Sequence, residues 1–257
     1  MPVDELQPSE RRRRPSARGR RRPPELPLHP VHAPRTPRLR EVAYDAIKEA
    51  ILDGRLASGQ PLQEESIAEL LEISRTPVRE ALALLEHEAL ISPRAGKGLW
   101  VRSLSRNEFV DMFVANETVE PYLARLASMR ATPGHTEAMR AVVEDCRLHA
   151  RRPDLAGFLR DGRRFHQLVG EASGNPILTR FVVQNEERTD IYLLGNAGAV
   201  EVDAWQPSVQ EHEAIMEAIV RREPEEAARL VIYHSQSVRH RLAPLFREDA
   251  PGEEEAS

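Results

Sequence analysis

The chain has 257 residues, of which 40% are hydrophobic and only 5% aromatic, enough for one or two Ala/Leu-rich cores. Its single cysteine, Cys146, excludes an internal disulfide and suits a reducing, cytoplasmic setting. No apolar run reaches the length of a membrane span, and no apolar stretch follows the arginine-rich N-terminus, so neither a membrane anchor nor a secretory signal is expected. The net charge of −5 would argue against a polyanionic partner only if it were evenly spread.

Residues 1–37 carry two like-charge blocks, Arg11 to Arg14 and Arg20 to Arg22, among many prolines. Such a segment buries too little surface to offset its ordering entropy, and disorder is expected. It reads either as a basic arm adding non-specific DNA affinity or as an inert solvated tail.

Val42, Ala43, Ala46, Ile47, Ala50 and Ile51 recur at helical spacing, and Gly54 stops that helix. A turn from Leu56 to Pro61 leads to a short helix, Glu64 to Glu72, burying Ile67, Ala68 and Leu71. The run Ser74-Arg75-Thr76-Pro77-Val78-Arg79-Glu80-Ala81-Leu82 then opens another helix. Ser74 and Thr76 are good N-caps, and Pro77 sits where a missing N–H costs nothing. Ala81, Leu82, Leu84, Leu85 and Leu90 continue the buried stripe. Arg75 and Arg79, four residues apart, face one way and suit bases or phosphates in a groove. Two β-prone runs follow, Leu90-Ile91-Ser92 and Leu99-Trp100-Val101. They are joined by Pro93-Arg94-Ala95-Gly96-Lys97-Gly98, whose glycines allow a tight hairpin with basic residues at its tip. Helix, helix-turn-helix and hairpin in this order make a winged helix. Charge follows the same division. Residues 41–73 hold two basic and eight acidic side chains, whereas 74–103 hold five basic and three acidic, which suits phosphate neutralisation.

Residues 38–103 closely resemble the DNA-binding domain of the GntR family of bacterial transcription regulators. The resemblance is carried by Gly54, Leu62, Ile67-Ala68, the Ser74 to Leu82 run, Leu85-Glu86, Leu90-Ile91, and Gly96 and Gly98 before Val101. It implies a double-stranded, near-palindromic operator read by a homodimer. Arg75 and Arg79 would face the major groove, Ser74 and Thr76 the phosphates, and Arg94, Gly96 and Lys97 would belong to the wing. Ala89 stands where the family usually has glycine, which should stiffen that turn. Glu65 stands where some members carry a DNA-contacting arginine.

From Ser105 on, helix follows helix. One begins near Arg106, with Phe109, Met112, Phe113, Val119, Tyr122, Leu123 and Leu126 on its apolar faces. Thr132-Pro133-Gly134 breaks the pattern before a second helix, Thr136 to Arg151. Asp154 caps a third, and Asn175-Pro176 caps and starts a fourth. Later helices cover Ser208 to Arg222 and Pro224 to Ala243. The fold class is therefore mainly α, a winged helix-turn-helix followed by an all-helical bundle over 104–247, with an acidic, frayed tail over 248–257.

This half resembles the all-helical effector-binding domain of the FadR-like (FCD) branch of the same family. The matching residues are Glu120-Pro121, Ala124 and Ala127, Phe165-His166 with Leu168-Val169, and Ser173-Gly174-Asn175-Pro176. Further on they are Glu211-His212, Ile215-Met216, Ala218-Ile219, and Glu225 to His234. The branch implies a pocket for a small-molecule effector, ordinarily an organic acid, and often a divalent metal held by one aspartate and three histidines. His166, His212 and His234 match the histidines, so zinc or a similar ion is the implied cofactor. The aspartate position, four residues before His166, is Gly162. Asp161 is next to it but points roughly 140° away around a helix of 3.6 residues per turn. Asn116 occupies the place of an arginine that would clamp an acidic ligand. Read singly, each histidine is an ordinary core or surface group. Together they are candidates for metal or for direct contact with the effector.

The expected function is a sequence-specific, effector-controlled DNA-binding regulator, a repressor as most relatives are, and not an enzyme. Two other classes compete with it. One is a metal-dependent hydrolase built on the three histidines, which would lack an obvious general base. The other is a non-specific architectural DNA-binding protein acting through the basic tail.

Overall fold

The structure is a computed structural model that describes residues 39–152, 154–200 and 204–245; the basic and acidic tails lie outside the described residues. The first helix, α1 (Leu39–Leu52), buries Ala43, Ile47, Ile51 and Leu52, and Gly54 follows with φ 74°. Then come β1 (Pro61–Leu62), α2 (Glu64–Leu70), α3 (Arg75–His87), β2 (Ile91–Arg94) and β3 (Gly98–Val101). The strands form an antiparallel sheet with β3 in the centre. Ile91 lies opposite Val101 and Arg94 opposite Gly98 in the β2–β3 hairpin. The third strand was not expected: Pro61, read as the end of a turn, and Leu62, given no element, pair with Trp100 and Leu99. Two residues are too few to show alternation.

Ser74 is the N-cap of α3 with extended backbone, but its side chain makes no capping hydrogen bond, and Thr76 lies inside the first turn. Val78, Ala81, Leu82 and Leu85 are buried along one side. Leu84 is 39% exposed, because it lies about 100° around the helix from Leu85. Leu90 is fully buried beyond the helix end.

The remaining helices are α4 (Arg106–Arg130), α5 (Pro133–His149), α6 (Leu155–Ser173), α7 (Pro176–Gly195), α8 (Gln206–Val220) and α9 (Pro224–Leu242). Ser105 opens α4 through a reciprocal capping box with Glu108. The second helix of the bundle starts earlier than expected, at Pro133. Thr132 is its cap and accepts from the His135 N–H, so the Thr-Pro-Gly sequence is a helix start as well as a break. Asp154 and Asn175 cap α6 and α7 as expected.

Two apolar clusters fill the bundle. One joins Ala124, Ala127, Met139, Val143, Phe165, Leu168, Ile215, Ile219 and Val231. The other is aromatic, with Phe109, Phe113, Phe158, Tyr192 and Trp205. Arg222 closes one end, donating to the Ser128 and Ala131 carbonyl oxygens at 3.0 and 2.6 Å. There it satisfies orphan acceptors of α4. The core of the winged helix is built from α1, α2, α3 and the sheet, and Ile191 of α7 is part of it.

Candidate functional site

His166 comes from α6, His212 from α8 and His234 from α9, so three helices converge on one point. One ring nitrogen from each lies within 4.8 Å of the others, and all three residues are buried. The imidazoles are oriented from behind. His166 Nδ1 is 2.6 Å from Glu120 Oε2 and His234 Nδ1 is 2.7 Å from Glu211 Oε2. With each Nδ1–H donating to a carboxylate, Nε2 is the nitrogen left to face the centre, where it offers a lone pair once the ring gives up its second proton, as in carboxylate–histidine–metal arrangements. Glu211 is itself held by Arg241 and Ser237 at 2.8 and 2.7 Å. His212 stacks on Phe165 with centroids 4.5 Å apart, and neither of its ring nitrogens has a hydrogen-bond partner.

The protonation states diverge. Burial lowers the His166 imidazolium, but Glu120, with Glu186 and Asp190 behind it, outweighs burial and leaves its pKa raised to about 9. Burial drives His212 well below its ordinary value, helped by the two neighbouring histidines and Arg241. Burial also lowers His234, against Glu211. Glu211 stays ionised despite burial, down at about 2, because His234, Arg241 and Ser237 bond to its charged form.

Gly162 lies one turn before His166 on the same face. A Cβ placed there would be 3.7 Å from His212 Cε1, so the aspartate position of the family faces the histidines and is filled only by hydrogen. Asp161 points elsewhere: its Oδ2 is 2.6 Å from His149 Nδ1 on α5, which removes it as a ligand candidate. The three nitrogens, their carboxylate supports and the orphaned His212 fit a divalent ion with three protein ligands and an open side.

A cavity opens beside the histidines with about 70 Å³ of space for the centres of water-sized atoms, room for more than one water or a small ligand. Its polar end holds Glu120, Arg163, Glu186, Thr189 and Asp190, and its apolar wall includes Phe113, Phe158, Trp205, Val238 and Leu242. Arg163 is ion-paired with Asp190, and burial raises the carboxyl groups of both Asp190 and Glu186. Asn116 is buried behind this wall, donating to Glu186 Oε1 at 2.5 Å and accepting from Asn185 at 2.8 Å. It steers a cavity carboxylate and is not itself among the lining residues. Glu120, Glu211, Arg163, Glu186 and Asp190 were missed as site residues. Glu211 immediately precedes His212 and was legible as a neighbour; the α7 acids carried no spacing signal.

At the other end of the molecule, the recognition-helix arginines are engaged within the chain. Arg79 makes a two-pronged pair with Glu64, Nη2 to Oε2 at 2.9 Å and Nε to Oε1 at 3.1 Å. Arg75 Nη1 reaches Glu65 at 2.6 Å. All are solvent-exposed contacts, weak and easily exchanged for phosphate. In the wing, Gly96 and Gly98 have φ 67° and 79°, which close the turn that carries Lys97. Arg94 lies over the Trp100 ring at 4.4 Å.

A winged helix joined to a helical bundle with a histidine-lined cavity defines a two-domain, ligand-responsive DNA-binding protein. Residues 39–101 match the family of bacterial regulatory proteins called gntR, and residues 111–237 match the FCD domain. The chain is 29% identical to the Nta operon transcriptional regulator of Aminobacter aminovorans, over 74% of this chain and 87% of that protein. It is also 29% identical to a probable D-xylose utilization operon transcriptional repressor of Paenarthrobacter nicotinovorans, over 74% and 82%. The fold matches the solved structure of E. coli McbR/YncC with a TM-score of 0.69 and 19% identity, covering 82% of this chain and 98% of that one. The chain belongs to the GntR family of transcriptional regulators, in the FadR-like branch with an FCD effector-binding domain. Among the described residues no helix is long and apolar enough to cross a membrane.

Proposed function

We propose that the protein is a cytoplasmic, homodimeric repressor whose hold on a near-palindromic operator is set by a small molecule bound beside a three-histidine metal centre. The observation that carries this reading is the pair of ring nitrogens on His212, which lines the cavity and is buried, neither nitrogen having a hydrogen-bond partner. Leaving such groups unpaired costs free energy that a metal or ligand would recover. His166, His212 and His234 would hold the ion, and when bound it supplies Lewis acidity and a vacant position for an effector oxygen. Glu120 and Glu211 fix the tautomers, Glu186 and Arg163 offer opposite charges to the effector, and the aromatic wall excludes water. With Asn116 in place of the arginine clamp, the ligand's acidic end would have Arg163 as its cationic partner. On the DNA side, Arg75 and Arg79 read bases, Ser74 and Thr76 meet phosphate, and Arg94, Gly96 and Lys97 form the wing contact.

The test is metal analysis and zinc calorimetry at about pH 8, with Gly162→Asp beside the wild type. The expected result is zinc binding by the wild type, tightened at least about tenfold by the added carboxylate, since losing an inner ligand or its support costs affinity on that scale. Wild type without zinc and Gly162→Asp with it would mean that this chain's histidines contact the effector directly.

A further inference from the structure

Helix α7 presents two different faces to two different parts of the molecule. Glu186, Thr189, Asp190 and Leu193, at helical spacing, line the cavity. Residues turned about 100° from these grip the winged helix. Glu187 is 2.9 Å from Lys48 Nζ on α1, and the same ammonium is 3.0 Å from Glu88. Tyr44, also on α1, completes that knot, donating to Glu88 at 2.7 Å. Arg188 Nε donates to the Glu88 carbonyl oxygen at 3.1 Å, and Glu88 is the C-cap of α3, the recognition helix. Ile191 is packed in the winged-helix core with Ile47 and Ile51.

The fit leaves little slack. A Cβ at Gly195 would stand 3.0 Å from Ser58 Cβ, and one at Gly54 3.7 Å from Leu194 Cδ2. Arg163, the partner of Asp190, lines the effector cavity on one side. On the other it lines a cleft against Asp45, Lys48 and Glu49 of α1. A rigid helix clamped at both faces cannot shift at one without moving the other.

We propose that α7 is the transmission element of this regulator: cavity occupancy displaces its inner face, and Glu187 and Arg188 carry the displacement to α1 and to the C-terminal end of the recognition helix. The inference rests on the cavity being the effector site. It assigns coupling to two residues that touch neither effector nor DNA. Because coupling is reciprocal, operator binding would alter affinity in the cavity by the same factor.

The test fills the cavity by two routes in the full-length protein: zinc added to metal-stripped wild type, and Gly162→Leu, which projects a side chain toward His212 from within. Gly162→Ala, whose methyl makes only an ordinary contact, keeps the test open if the larger side chain prevents folding. Backbone hydrogen exchange is followed in α1 and at the end of α3, and operator affinity is measured in parallel. Expected is a change of about fivefold or more in α1 exchange. In the Glu187→Gln/Arg188→Gln background the change should stay confined to the cavity-lining helices α6, α7, α8 and α9. An α1 that responds to none of these perturbations overturns the proposal, as does a double variant that transmits like the wild type. Failure of the effector reading is distinguishable: α1 exchange would change while operator affinity stays constant.

Discussion

Ala89 has φ 57°, a left-handed backbone that costs a residue with a Cβ about 1–2 kcal/mol and costs glycine almost nothing. Its family relatives usually place glycine there, and the strain sits at the end of the recognition helix beside Glu88. Ala89→Gly should therefore stabilise the protein by about 0.5–1 kcal/mol, the strain relief being partly offset by the freer unfolded chain. In a thermal melt this is a rise of roughly 1–4 °C; an unchanged or lower Tm would contradict the backbone assignment. Cys146 gives a second residue-scale expectation. It is fully buried, and burial, followed by Asp161 and Asp145, pushes its thiol up to about 12. The thiolate is the reactive form, so the native protein should not react with a disulfide reagent at about pH 8 and should release one equivalent only on unfolding. Rapid labelling of the native protein would show that the α5–α6 packing is looser than described.

At the scale of elements, legibility in the sequence followed the strength of the local signal. The helix-turn-helix was readable because Gly54, the Ser74 to Leu82 run and the wing glycines each have a local physical reason for their position. The bundle helices were readable from periodicity and caps, with errors at boundaries, as where Thr132 proved to be a start. What could not be read was long-range: β1 is defined only by pairing, and Asp161 faces His149 because α5 happens to pass there. Glu64 belongs to the same class. It lies fifteen residues from Arg79 yet binds it on two nitrogens, leaving the guanidinium already oriented on the face of α3. Replacing Arg79 with alanine should weaken binding to a selected operator roughly 10- to 100-fold and relax preference at one base position. Replacing Lys97 should weaken all sequences alike and flatten the salt dependence. Equal discrimination by Arg79→Ala and wild type in competition binding would remove α3 from the recognition role.

For the whole molecule, the expected arrangement on DNA is a two-fold pair. One winged helix reaches only a few base pairs, and a two-fold pair doubles both contacts and specificity. The bundle offers a surface for the second copy. Helices α4 and α7 lie side by side: Asn185 donates to the Met112 carbonyl oxygen at 2.7 Å and to Asn116 Oδ1 at 2.8 Å. Tyr122 and Met129 on α4 and Ile177 and Phe181 on α7 are exposed, Ile177 by 71%, apolar side chains that a second copy could cover. Since α7 also grips the recognition helix, pairing through this face would set the distance between the two reading heads. Sedimentation at micromolar concentration should give twice the 29.0 kDa chain mass. Ile177→Glu/Phe181→Glu should sediment as the single chain, keep Cys146 protected as a sign of intact folding, and lose operator affinity by at least about tenfold because only one half-site is held. A wild type that stays monomeric with and without operator, or a double variant that remains dimeric, would take the interface away from α4 and α7.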